Sequence, residues 1–264
     1  MRLITWNINS LRLRLPLLQR LIEEQAPDVI CLQETKVPDP LYPQDALAEL
    51  GFPHQLYRGM KSYNGVTILS RTPLEAVADT PDWCGKTDCR HVAATIQTKS
   101  GPVTIHNFYV PAGGDIPDPQ ENDKFAHKLA FLEEATAWFK ANPPKRSILV
   151  GDLNIAPLEH DVWSHRQLLK IVSHTPPETS RLIDWMKAGF EDAMRKAIPE
   201  PEKLFTWWSY RNRDWKKSNR GRRLDHIWTT PDILPGLNTI EVLSPVRDWT
   251  SPSDHVPVLM DIAL

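Results

Sequence analysis

Short apolar runs that each end at a polar residue dominate the pattern of this chain. They occupy residues 3–8, 29–33, 65–70, 92–98, 103–110, 147–150, 224–229, 238–243 and 256–262. All are rich in Val, Ile and Leu and are bounded by Pro, Gly, Asn and Asp, as buried strands are. Amphipathic stretches interrupt them in three places. Between Leu11 and Ile22, leucines recur at three- and four-residue spacing behind Ser10, a possible N-cap, although Pro16 leaves the helix start open. Residues 124–140 make a second helix, closed by Pro143 and Pro144, and residues 179–188 a shorter third. Strands and helices alternate in the first third, and then strands follow one another. A doubly wound parallel sheet does not fit that order. The expected fold class is α/β, a four-layer α/β-sandwich with two packed mixed β-sheets flanked by helices.

The 264 residues contain 24 prolines, gathered in loops such as 38–43, 111–119 and 231–235. None of these loops reads as a linker between domains, so residues 1–264 are expected to form one catalytic domain. No apolar run approaches the roughly 20 residues that span a bilayer. The opening MRLITWNINS alternates like a strand and has no signal-peptide core. A cytoplasmic protein without membrane contact, and a monomer, is expected. Cys31, Cys84 and Cys89 have no second Cys or His pair at matching spacing, so reduced thiols fit better than a zinc site. The net charge of −2 excludes a uniformly basic coat for nucleic acid but leaves room for a local patch. Such a patch lies within residues 211–223, where Arg211, Arg213, Lys216, Lys217, Arg220, Arg222 and Arg223 face only Asp214, with Trp207, Trp208 and Trp215 nearby.

The chemistry-bearing residues stand where apolar runs end. Asn7 follows Leu-Ile-Thr-Trp, Glu34 follows Val-Ile-Cys-Leu-Gln, and Asp152 and Asn154 follow Ser-Ile-Leu-Val-Gly. Asp225 stands beside Leu224, and Asp254 and His255 precede Val-Pro-Val-Leu-Met. One Asp after a strand is usually a turn or a cap; the set as a whole is what points to a site. Hard oxygen ligands such as Glu34 suit magnesium, or manganese in its place, beside a substrate phosphate. Asp152 beside Asn154 can orient and deprotonate a water, while His255, Asn154 and Tyr109 can face the charge that develops on phosphorus. The motifs of P-loop enzymes, serine hydrolases, zinc proteases and dinucleotide-binding proteins are absent.

Seven motifs in this chain resemble those of the exonuclease III family of abasic endonucleases, within the wider group that holds magnesium-dependent phosphatases and deoxyribonuclease I. They are Ile4-Thr5-Trp6-Asn7-Ile8-Asn9, Leu32-Gln33-Glu34-Thr35-Lys36, Tyr63-Asn64-Gly65-Val66, Asn107-Phe108-Tyr109-Val110-Pro111, Gly151-Asp152-Leu153-Asn154-Ile155-Ala156-Pro157, Arg223-Leu224-Asp225-His226-Ile227 and Ser253-Asp254-His255-Val256-Pro257-Val258. They occur in family order along essentially the whole chain.

The resemblance implies a magnesium-dependent phosphodiesterase that cuts double-stranded DNA 5′ to an abasic site, with 3′–5′ exonuclease activity and trimming of blocked 3′ ends. It makes Glu34 the principal metal ligand, beside Asn7, with Asp152, Asn154 and Asp254 as further candidates for one or two ions. It makes Asp152 the base, or at least the residue that positions the water, pairs Asp254 with His255, puts His255, Asn154 and Tyr109 on the phosphate, and has Asp225 orient the site or help bind metal. Trp207 and Leu224 match positions that wall a flipped-out abasic sugar, which costs less to extrude than a paired base. Arg211, Lys216, Lys217, Arg220, Arg222, Arg223, Lys36 and Asn64 are the remaining candidates for contact with DNA. Core packing is the competing reading for Trp207 and Trp208. Two residues depart from the family pattern: Ala112, where relatives commonly carry Asn or Gln, and Arg222, where an aromatic or aliphatic residue is usual. The loop of residues 111–123 also differs. A phosphomonoester substrate on the same fold, or a DNA-binding protein without catalysis, is the alternative to be tested.

Overall fold

The computed structural model describes residues 1–212 and 214–264. Arg213, from the basic run, lies outside the described residues. In chain order the strands are β1 (Arg2–Asn7), β2 (Val29–Gln33), β3 (His54–Arg58), β4 (Val66–Ser70), β5 (Leu74–Ala76) and β6 (His91–Thr98), followed by β7 (Gly101–Tyr109), β8 (Ser147–Asp152), β9 (Glu191–Asp192), β10 (Asp225–Thr229), β11 (Leu237–Val242) and β12 (Val258–Ile262). The helices are α1 (Leu15–Gln25), α2 (Gln44–Glu49), α3 (Asp123–Ala141), α4 (His165–Leu168), α5 (Pro176–Met186), α6 (Ala193–Ala197) and α7 (Trp215–Ser218). One six-stranded sheet runs β11-β12-β1-β2-β4-β3 and the other β5-β6-β7-β8-β10-β9. A parallel pair, β1 with β2 and β7 with β8, sits inside each otherwise antiparallel sheet.

Alternation along the strands builds the layers. Leu3, Val29, Cys31 and Ile68 of the first sheet meet Ile96, Val103, Ile105 and Val150 of the second. Their neighbours Ile4, Trp6, Ile30 and Leu32 point the other way, onto Leu18, Leu21 and Ile22 of α1. On the outer face of the second sheet, Phe108, Leu149 and Trp228 receive Phe131, Leu132 and Phe139 of α3 and Leu182 and Trp185 of α5. Burying each such side chain contributes roughly 1.5–3 kcal/mol, so helix layers and sheet layers are held by the same force. The expected four layers are present. No helix among the described residues is long and apolar enough to cross a membrane.

A polar seam crosses the sandwich just below the site. Gln33 Nε2 donates to Asn107 Oδ1 at 2.7 Å and to Thr5 Oγ1 at 3.0 Å. Asn107 Nδ2 donates to the carbonyls of Leu32 and Thr67 at 2.9 and 2.8 Å. Buried polar groups must be paired, and these fix one sliding position of β2 against β7.

Some boundaries differ from expectation. Ser10 does not cap a helix: it sits at φ 87 and donates its amide to Glu34 O, and α1 begins at Leu15 with Pro16 in its first turn. The third helix starts earlier, at Pro176, where Glu178 reaches back to the Thr175 amide at 3.0 Å.

Two buried histidines make acid stability predictable. Burial pushes His106 and His226 down to about 4. The unfolded chain, titrating near 6.5, therefore binds protons first, and stability falls as pH drops from about 6.5 towards 4. Together the two rings should cost about 4 kcal/mol between pH 7 and pH 5. Urea unfolding at both pH values should show that loss in the wild type and a clearly smaller one in His106→Gln/His226→Gln. An equal loss in both proteins would contradict the assignment.

Candidate active site

Strand pairing sets the site out before any side chain is considered. In the second sheet Tyr109 lies beside Asp152, and Asp152 beside Asp225, as direct cross-strand neighbours. In the first sheet Asn7 ends β1 next to Gln33, and Glu34 follows at once. A bridge between Trp207 and His255 brings the segment before β12 to the same rim. Glu34 and Asn154 both hold left-handed backbone, at φ 51 and 54. Such conformations cost a non-glycine residue energy and persist where surrounding contacts enforce them.

The side chains then connect into one network. Asn7 Nδ2 donates to Glu34 Oε1 and to Asp152 Oδ2, both at 2.8 Å. Tyr109 OH donates to Glu34 Oε1 at 2.9 Å, and Lys36 Nζ stands 2.7 Å from Glu34 Oε2. Asp152 Oδ1 accepts the Asn154 amide at 2.9 Å. His255 Nδ1 meets Asp225 Oδ2 at 2.8 Å, with Nε2 lying 3.6 Å from Asp152 Oδ2.

Burial and neighbouring charge tune these groups apart. Burial pushes the Asp152 carboxyl up to about 7; the positive charge of His255 opposes the rise and Asp225 adds to it. Burial alone would lower His255, yet Asp225 and Asp152 raise it to about 10. Burial works on Glu34 in the upward direction but is outweighed by Lys36 and the Asn7 amide, so Glu34 lies below its ordinary range. Burial and the charge of Glu34 hold Tyr109 well above its own, keeping it a proton donor. Asp152, Asp225 and His255 offer ligand atoms within 4.8 Å of one another, compact enough to hold a metal ion. The Glu34 carboxylate, with the Asn7 and Tyr109 side chains on it, offers hard oxygen atoms for a cation as well. The Lys36 ammonium already rests there.

Two expected placements are corrected. Asp254 is not the side-chain partner of His255: its Oδ2 accepts Trp207 Nε1 at 2.9 Å and its Oδ1 accepts Asn9 Nδ2 at 3.2 Å. Successive residues of extended chain point to opposite sides, so Asp254 and His255 diverge and Asp225 takes the imidazole. Arg223 is not available to DNA. It is fully buried, with Nη2 2.9 Å from Asp161 Oδ2 and Nη1 2.6 Å from Asp192 Oδ2. The same alternation sends Arg222 and Leu224 towards the site and Arg223 away from it.

A cavity of about 630 Å³ opens beside the network, lined by Glu34, Asn154 and His255 on one side and by Trp163, Trp207, Arg222 and Leu224 on the other. Arg211 and Arg220 stand exposed at its edge. Trp208 is instead a core residue, packed on Phe205 and Val256. Lys216 and Lys217 lie outside the cavity on α7, with Lys216 2.6 Å from Asp248. Asn64 is half-buried and uses its amide on Asp88 O at 2.8 Å, supporting the loop that carries Lys36.

Three contributors were not foreseen. Asn9 links Lys36, at 2.6 Å, to Asp254. Trp163 supplies an aromatic face beneath Arg220. Lys128, buried in an ion pair with Glu178, donates to Ala112 O and Asn154 O and so ties two site loops together. Asn9 was visible within the first motif; nothing local marks the other two.

Comparison with known proteins covers the chain almost from end to end. Residues 4–255 match the model of the Endonuclease/Exonuclease/phosphatase family. Exodeoxyribonuclease III of Haemophilus influenzae is 30% identical over 274 residues, covering 98% of either chain. The solved structure of a Neisseria 3′ phosphatase bound to a product DNA hairpin has a TM-score of 0.91 at 29% identity, with both chains fully covered. An AP endonuclease from Archaeoglobus fulgidus gives 0.92 at 29% identity, again over the full length of both. The family model spans nearly the whole chain and a relative 30% identical covers 98% of it, so the chain belongs to the exonuclease III branch of the endonuclease/exonuclease/phosphatase family.

Proposed function

We propose that this chain, acting as one catalytic domain, is a magnesium-dependent phosphodiesterase of DNA repair. It cuts double-stranded DNA 5′ to an abasic site and removes nucleotides or blocking groups from 3′ ends. The observation that carries the reading is the Asn7–Glu34–Asp152–His255–Asp225 network at the wall of a cavity large enough for a sugar. A monomer in the cytoplasm is the simplest setting, consistent with three free thiols.

The residues divide the work by their proton affinities. Asp152, titrating near neutrality, takes a proton from the attacking water, and Asn7 and Asn154 hold its two oxygens in place. His255 stays cationic and presents Nε2 towards a phosphate oxygen, with Asp225 fixing the ring through Nδ1. Tyr109, once its hydroxyl leaves Glu34, and the side-chain Nδ2 of Asn154 would be further donors to the phosphate. Glu34, with Asn7 beside it, would hold the magnesium ion, for which manganese can substitute, and the ion would supply positive charge against the phosphate. Lys36 would then release Glu34. Trp207 and Leu224 would wall the extruded sugar, with Arg211 and Arg220 on the backbone.

The test is a duplex oligonucleotide carrying one abasic analogue. With magnesium the protein should incise it 5′ to the lesion, and Glu34→Gln should lose most of that activity. Failure of the wild type to incise, together with turnover of a small phosphomonoester, would replace this reading with the phosphatase one.

A further inference from the structure

Arg222 brings into the cavity a positive charge to which no carboxylate hydrogen-bonds among the described residues, although Glu34, Asp115 and Asp254 line the same cavity. Among the described residues, the hydrogen bonds of the Arg222 side chain go only to neutral groups, Val172 O at 3.0 Å and Ser173 Oγ at 2.7 Å. Its guanidinium carbon stands 5.3 Å from the centre of the Trp207 ring, and its Nε is buried without a partner. Burial lowers its proton affinity, with Glu178 offsetting only part of that cost. A second guanidinium, Arg220, is stacked on Trp163 at 4.8 Å. A half-buried charge held in place by neutral groups is costly unless an anion completes it.

The position of Arg222 says where that anion sits. The same cavity is bounded by Asn154 and His255, so a phosphate held by the catalytic network offers its small substituent to Arg222. A duplex is far too wide to enter. At a 3′ end, DNA lies on one side of the phosphate and only the blocking group can go in. Resting on the phosphodiesterase reading above, we propose that Arg222 determines specificity by receiving a negatively charged group on that block. The preferred 3′ end is then one whose phosphate carries a carboxylate, as in a 3′-phosphoglycolate. Water adds to phosphorus, the bond from phosphorus to the 3′ oxygen breaks, that oxygen takes a proton, and phosphoglycolate leaves.

The test compares three duplexes with the wild type, Arg222→Met and Arg222→Gln. One ends in 3′-phosphoglycolate, one in the neutral analogue 3′-phospho-2-hydroxyethyl, and one carries an internal abasic analogue. The wild type should remove glycolate at least about tenfold faster, in kcat/KM, than hydroxyethyl, the range of a charge-assisted hydrogen bond. In Arg222→Gln, which keeps donors without the charge, the ratio should fall to about one, and likewise in Arg222→Met if it folds. A ratio near one in the wild type, or a ratio that survives in Arg222→Gln, overturns the proposal. So does an equal fall on all three duplexes, which would put a backbone phosphate of DNA on Arg222 instead. Incision of the internal site by the wild type reports separately on the phosphodiesterase reading.

Discussion

Asp152→Asn is expected to slow turnover of abasic duplex DNA by at least about 100-fold, which corresponds to about 2.7 kcal/mol in the barrier. The exchange preserves shape and the bond from the Asn154 amide, but an amide cannot accept the proton of the attacking water. It also removes one of the two carboxylates that keep His255 protonated. Affinity for DNA should survive, because the cavity walls and the exposed arginines are untouched. Single-turnover rates at saturating enzyme, beside equilibrium binding in the same buffer, separate the two. Equal loss of rate and binding would count against Asp152 as the base.

The second large effect concerns stability. Asp161→Ala should destabilise the fold by about 3–5 kcal/mol, because it leaves buried cations without their partner. Asp161 is fully buried, with Arg223 2.9 Å and Arg195 2.5 Å from its two oxygens. Asp192 would remain for Arg223, but one carboxylate cannot neutralise two guanidinium groups. In a chain of this size the loss should lower Tm by roughly 6 to 20 °C. Urea unfolding checks the free energy directly, and a change below about 1 kcal/mol would mean that the network is already well solvated. The effect reaches function through geometry, since the anchored Arg223 lies between Arg222 and Leu224 and turns both towards the cavity.

What was legible in the chain follows the range of the forces involved. Central strands such as β2 are buried over their whole length and read as unbroken apolar runs. The three strands not foreseen, β3, β5 and β9, lie at sheet edges, where they are short or only partly buried. Glu34, Asp152, Asn154 and His255 were visible because they stand at the ends of apolar runs, and the network does gather them. The partner of His255 was not visible. Asp254 is adjacent in sequence, but the choice is made by the register of β10 on β8, which brings in Asp225 from 30 residues away. The basic run misled in a similar way. A count of charges cannot tell Arg223, paired in the interior, from Arg220 at the rim; only the alternation of an extended segment separates them.

Asp152 and His255 act as one unit on one phosphate, and a double-mutant cycle in the single-turnover cleavage assay tests that most directly. Groups that work together lose most of their joint contribution when either is removed. Asp152→Asn/His255→Gln should therefore be slower than the worse single variant by no more than about tenfold. Losses that multiply, so that the double variant shows the product of the two separate defects, would mean that the side chains act independently, and the shared site described here would be contradicted.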